Sequence, residues 1–286
     1  MADSAAFVRV PVAEVAAEAY RGVFGRMGLF LDLAAVPLLL LLAASLVPGY
    51  VLDHWLPAES LAGWGRGGDL DIGLTDIIAA LVAVPCLNAF AVRWHHVVLF
   101  AGERALPRGL FRRAFGRFLL YTLLIYVTAT GLILGAAAIA ASGGLAGEAD
   151  LPAPFAAAAT AALMLLAALI WFATLRCSLL FPAAAYGRPL RLGSAWRTLR
   201  GNSWRLVGCA LLACAPFILT VVFLFNAFLA ALHLDAASAL ATRPPLGLFI
   251  LRGLVNTLSN FILVALAASV LSGFYRRLAL RGLGVF

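Results

Sequence analysis

The sequence predicts an all-α fold: a polytopic membrane helical bundle of six transmembrane helices, arranged as three parallel two-span repeats, each preceded by an interfacial amphipathic helix. Three observations predict it. Hydrophobic residues make up 64% of the 286 and charged residues 12%, where a soluble domain runs at about half and about a quarter. Six apolar runs, at 27–48, 74–100, 118–141, 154–181, 204–232 and 246–274, each reach the ~20 residues that a helix needs to cross hydrocarbon. A short arginine-bearing segment with an aromatic residue precedes alternate runs. No β-barrel alternation is visible, and lipid admits only helices or closed barrels.

The first segment, 1–26, carries Val8, Val12, Val15, Ala19 and Val23 on one helical stripe, with Glu14, Glu18 and Arg21 elsewhere. That pattern predicts a helix lying in the bilayer interface. Because acids interrupt it and no early apolar core is present, a cleaved leader is not expected. The segment 187–206 repeats the design: Leu192, Ala195, Trp196 and Leu199 form a stripe, and Arg191, Arg197 and Arg200 lie largely off it. Ala19-Tyr20-Arg21 followed by Gly25, Leu110-Phe111-Arg112 followed by Gly116, and Ala195-Trp196-Arg197 followed by Gly201 align with one another. A proline stands upstream of each, at Pro11, Pro107 and Pro189. The chain therefore divides as one membrane domain, 1–286, into units at approximately 8–106, 107–187 and 188–286. Returning runs two and four carry Arg93 and Arg176 near their ends, while unit three closes on Arg276-Arg277.

Charge orients the chain. Every basic residue is arginine; of the 21, only Arg66, Arg243 and Arg252 fall away from the side that holds the amino terminus, the second and fourth loops and the carboxyl terminus. Eight of the 13 acidic residues border the opposite loops. Arginine marks the cytoplasmic face, so both termini are expected in the cytoplasm, and residue usage points to a bacterial inner (plasma) membrane. The net charge of +8, so distributed, favours anionic phospholipid as partner over nucleic acid. A larger membrane complex or a homo-oligomer is a further possible partner. In the long first loop, Asp69, Asp71 and Asp76 lack calcium-loop spacing and read as an acidic rim on a surface stretch.

Candidate site residues follow from the same placement. Arg112, Arg113, Arg191, Arg197, Arg200 and Arg205 are expected to bind lipid phosphate, which suits the planar guanidinium fork. Asp32 and Arg93 sit at similar depth on consecutive antiparallel spans, which motivates an intramembrane pair; the plainer alternative leaves Arg93 snorkelling. Arg252, Asn256 and Asn260 share one face of span six, with Asn226 and Asn88 on neighbouring spans. They read either as a cavity or as interhelical hydrogen bonds. His95 and His96 point about 100° apart, which disfavours a shared metal, so interfacial histidines near phosphates are expected. Cys86, Cys177, Cys209 and Cys214 lie inside apolar spans and read as packing residues. Pro37, Pro85 and Pro216 introduce weak kink signals. No cofactor or metal is expected, and phosphate-loop, zinc-protease and nucleophile-elbow motifs are missing from the sequence.

The run Ala195-Trp196, Gly201-Asn202 and Trp204-Arg205-Leu206 resembles a motif of poorly characterised six-pass bacterial inner-membrane proteins. It is also similar to the membrane region that precedes some glycerophosphodiester phosphodiesterase domains. No soluble phosphodiesterase domain is present in these 286 residues, so the resemblance carries over no catalytic residue. The three-unit plan resembles mitochondrial carriers in architecture alone, since the three prolines lack the acid of that family's motif. These readings together predict a non-enzymatic inner-membrane protein that binds anionic lipid as a scaffold, accessory subunit or membrane-homeostasis factor. The alternative is a small-solute transporter or channel using the polar face of span six.

Overall fold

The computed structural model describes residues 9–55, 74–100, 108–142, 153–188, 190–231 and 246–280. Among them every regular element is helical. The order is α1 (Val12–Phe24), α2 (Met27–Trp55), α3 (Leu74–Leu99), α4 (Arg108–Ser142), α5 (Ala153–Cys177), α6 (Leu180–Ala185), α7 (Leu192–Thr198), α8 (Ser203–Ala231) and α9 (Leu246–Tyr275), with a π-helical turn at Arg276–Leu280. Five stretches are long and apolar enough to cross a membrane: Met27–Val47, Ile78–Leu99, Met164–Ala185, Ser203–Ala231 and Leu246–Leu280. The chain is a helical membrane-protein bundle. The 35-residue α4 occupies the third apolar run as one continuous helix.

The bundle is built around α9, which touches α1, α2, α3, α6 and α8. Its core is aromatic. Phe30 of α2 meets Phe90 and Trp94 of α3 edge-on, with centroids 5.5 and 5.9 Å apart, and Phe90 meets Phe261 of α9 at 5.2 Å. All four rings are fully buried. Such tilted contacts add roughly 0.5–1.5 kcal/mol each beyond area burial. The polar tips inside this core find partners. Trp94 Nε1 donates to Ser269 Oγ at 2.9 Å, and Ser269 in turn donates to the Ala265 carbonyl. By contrast α5 lies at the periphery and exposes Met164, Leu165, Leu169 and Trp171.

The amphipathic segments differ from expectation. Val15, Ala19 and Val23 of α1 do form one stripe, but it is buried against α8 and α9 rather than turned to lipid. Small residues permit the approach: a Cβ on Gly273 would stand 3.1 Å from Val15 Cγ1, and one on Gly208 would stand 3.5 Å from Val12 Cγ1. For the second expected unit no separate interfacial helix is present among the described residues: α4 starts at Arg108 and continues without a break. In unit three the segment is only the seven-residue α7, with Ala195 and Leu199 buried while Leu192 and Trp196 stay exposed. A left-handed Gly187 (φ 84°) closes α6. The N–H of Gly187 reaches the Ala184 carbonyl and that of Arg188 the Ala183 carbonyl, a pairing that satisfies the helix's last acceptors. Gly201 (φ 77°) turns the chain from α7 into α8. The surface stretch expected at 49–73 is helical to Trp55 as part of α2, and 56–73 lie outside the described residues.

Candidate functional site

The ends of α3, α5 and α9 and the starts of α2, α4 and α8 share one end of the bundle, which we call the arginine-rich end. Three contacts organise it. Arg93, at the end of α3, lies over the Phe111 ring at the start of α4, 5.2 Å from its centroid. Arg176, at the end of α5, lies over Trp196 of α7 at 4.7 Å and over Phe172 at 5.1 Å. Its Nε also donates to Ser203 Oγ at 3.0 Å. Arg277, after α9, grips Glu18 of α1 with two donors: Nη2 to Oε1 at 2.6 Å and Nη1 to Oε2 at 3.0 Å. Arg276 adds a third contact to Glu18 at 3.2 Å, and Glu14 stands 3.6 Å from Arg277. Arg277 donation holds the Glu18 carboxyl below the usual carboxylate range. Partial burial opposes this, while the charges of Arg277, Arg276 and Arg21 reinforce it.

A second set of bonds fixes the start of α1. The Val10 N–H donates to Asn202 Oδ1 at 3.2 Å, and Arg205 Nη1 donates to the Val10 carbonyl at 2.9 Å. Cys209 Sγ donates to the Val12 carbonyl at 3.0 Å. Val10 precedes the helix, so the bonds from its N–H and to its carbonyl satisfy main-chain groups that have no helical partner. Arg205, expected among the phosphate ligands, is half-buried, and its Nη1 is engaged by the Val10 carbonyl. The other five expected arginines, Arg112, Arg113, Arg191, Arg197 and Arg200, are exposed, and Arg197 also bonds the Gly193 carbonyl of its own helix. Trp196 and Trp204 stand exposed beside them.

The Asp32–Arg93 pair does not form. Phe30 and Ala34 carry the buried face of α2 against α3, and Asp32 is two residues from Phe30, about 200° around the helix. Asp32 and Arg93 are both exposed, and Arg93 stacks on Phe111 instead. The histidines also differ from expectation. His95 and His96 are buried, with His95 Nδ1 2.7 Å from Ser272 Oγ and its ring against Phe118. His95 thus turns inward to α9 and α4, and the buried His96 ring lies against Phe100, 4.5 Å between centroids, so neither faces outward to phosphates. The four cysteines are free thiols within the packed helices.

At the far end, three of the five expected cavity residues come together. Asn226, Arg252 and Asn256 line a cleft of about 410 Å³ with α9 as floor and α2 and α8 as walls. Ser45 and Ser259 add hydroxyls, and Leu46, Val221, Val222, Phe225, Phe249 and Val255 supply the apolar lining. Asn226 Nδ2 and Ser45 Oγ both donate to carbonyls of their own helices, Val222 and Leu41. Asn260 lies outside the cleft. Asn88 lies outside it too: it is buried between α3 and α4, where its Oδ1 accepts from Thr122 Oγ1 at 3.0 Å.

The contacts with Glu18 and with Ser272 were not foreseen. The only sequence sign of the first was an i, i+4 pair of acids on the polar face of α1 and an Arg-Arg pair 258 residues later. No protein-family model, curated protein or solved structure matches the chain.

Proposed function

We propose that this protein is a non-enzymatic, anionic-lipid-binding scaffold or accessory subunit of a bacterial inner membrane, with its arginine-rich end and both termini in the cytoplasm. The observation that carries this reading is the exposure of Arg112, Arg113, Arg191, Arg197 and Arg200 at one end of the apolar helices, with Trp196 and Trp204 exposed among them. Guanidinium forks suit phosphate oxygens, and indole rings suit the headgroup layer.

The six-span, three-unit organisation belongs to the same proposal. It is supported by the arginine contacts, in which the returning helix of each unit reaches the opening segment of the next. Arg93 meets Phe111, Arg176 meets Trp196, and Arg276 and Arg277 return to Glu18 of the first unit, which closes the ring. Phe111 and Trp196 are the residues that the repeat aligns. The helices themselves are not equivalent, since α9 is central and α5 peripheral. The solute-path alternative is favoured by the cleft at the far end, but the layer of Phe30, Phe90, Trp94 and Phe261 fills the bundle below it. We therefore rank it second.

The test is binding of phosphatidylglycerol, with phosphatidylcholine as the reference lipid, to the full-length protein in detergent micelles. A basic residue near an anionic surface contributes about 1 kcal/mol, so changing Arg112, Arg113, Arg197 and Arg200 together to Gln should weaken the preference for the anionic lipid by about two to three orders of magnitude. Arg205 is left intact because it holds α1. An equal preference for the two lipids in wild type and variant would end the proposal.

A further inference from the structure

A smaller cavity, of about 240 Å³, lies at the arginine-rich end between α1, α3 and α9. Arg26 and Arg276 supply its cations, and Ala19, Trp94, Val97 and Val98 much of its carbon surface. The other polar groups in its wall are already engaged. Trp94 Nε1 donates to Ser269 Oγ, Ser269 donates to the Ala265 carbonyl, and the Glu18 carboxylate accepts from Arg276 and Arg277. Gly22 keeps the space open, since a Cβ there would meet nothing beyond its own helix nearer than Ser269 Oγ, at 4.0 Å. Arg26 joins α1 to α2, with its N–H on the Val23 carbonyl and its own carbonyl receiving the Phe30 N–H. Its exposed guanidinium makes no hydrogen bond or ion pair among the described residues. Arg276 gives one Nη2 donor to Glu18 at 3.2 Å, and its side chain remains 39% exposed; a guanidinium carries about five such donors. Around the cavity Arg21, Arg26, Arg276 and Arg277 outnumber Glu14 and Glu18, so this corner favours an anion even with a carboxylate in its wall.

We propose that this cavity holds the phosphate and glycerol backbone of one anionic glycerophospholipid from the adjoining leaflet. The phosphate oxygens accept from Arg26 and from further donors of Arg276. The glycerol carbons lie on Trp94, Val97 and Val98. The acyl chains and the rest of the headgroup extend outside, because the volume falls below the about 300–1,000 Å³ that encloses a whole small molecule. Carbon surface of this kind offers a dissolved phosphate ion nothing, but it matches an esterified glycerol, which gains by leaving water. The proposal rests on the reading of the arginine-rich end as lipid-binding and deepens it: Arg112, Arg113, Arg191, Arg197 and Arg200 attract the anionic surface, while the cavity retains a single molecule.

The test uses the full-length chain in dodecyl maltoside micelles, with tritiated dihexanoyl phosphatidylglycerol as ligand and empty micelles as blank. The tightest component of binding should saturate at one lipid per chain. Arg26→Gln should weaken that component about tenfold through loss of charge-assisted bonds. Gly22→Leu, which keeps every charge but fills the cavity, should weaken it by a similar factor. Dihexanoylglycerol, which lacks the phosphate, and glycerol 3-phosphate, which lacks the chains, should fail to compete at equal concentration. Arg26 is exposed, and unchanged melting temperatures without lipid will show that the variants fold; if Gly22→Leu melts lower, Arg26→Gln decides alone. Binding that never saturates, wild-type affinity in Arg26→Gln or in folded Gly22→Leu, or competition by either fragment as strong as by the lipid would overturn the proposal. The quadruple arginine variant keeps Arg26 and Arg276 and should retain the saturable component, so the two proposals fail separately.

Discussion

Glu18 shows how one residue can tie the two ends of a chain together. Its carboxylate receives three guanidinium donors from Arg276 and Arg277 while about a third of its side chain remains exposed. Charge-assisted bonds contribute about 1.5–3 kcal/mol when sheltered and exposed pairs about 0–1. For this half-sheltered cluster, Glu18→Gln should cost about 1–2 kcal/mol at neutral pH. The pH dependence has a definite sign. The folded-state pKa is lowered, chiefly by donation from Arg277, so the contribution is present in full above the ordinary glutamate pKa. It is lost as pH falls through the lowered folded value. The difference in melting temperature between wild type and Glu18→Gln should therefore be constant above about pH 5 and shrink toward zero in more acidic buffer. A difference that grows on acidification would contradict the assignment.

Among the elements, helical phase decides which neighbours meet. Residues Phe30 and Ala34 of α2 are buried and face α3, so Asp32 is carried to the opposite side although its depth matches that of Arg93. A charge swap consequently rescues nothing. Asp32→Arg and Arg93→Asp should combine additively, within about 0.5 kcal/mol, in a double-mutant cycle read by thermal unfolding. Coupling well beyond that would restore the pair. The stripe on α1 makes the complementary point. Its period was plain in the sequence, and Val15, Ala19 and Val23 do share a face. What covers that face was not plain, because a stripe suited to lipid is equally suited to Gly208 and Gly273 on α8 and α9.

For the whole molecule, the arginine contacts and the stapling of Val10 to Asn202 and Arg205 bring the first and last described residues to one end of the bundle. Tags at the two termini should therefore react with a membrane-impermeant reagent from the same side, and in sealed inverted vesicles that side should be the outer surface. Labelling of the termini from opposite sides would contradict both the geometry and the proposed orientation.

The sequence by itself determined the class of the fold, the positions of the long apolar helices and the end at which the arginines gather. Each of these depends on the local cost of placing polar groups in hydrocarbon, which composition and period report directly. It also picked out Arg252, Asn256 and Asn260 on one face of the sixth span, with Asn226 and Asn88 on neighbouring spans. Only the tertiary structure decided that Arg252, Asn256 and Asn226 share a cleft while Asn88 and Asn260 do not, that Arg205 bonds the Val10 carbonyl, and that Glu18 rather than Asp32 forms the ion pair. Those outcomes depend on the rotation of each helix about its axis and on contacts between residues up to 259 positions apart, which no window along the chain contains.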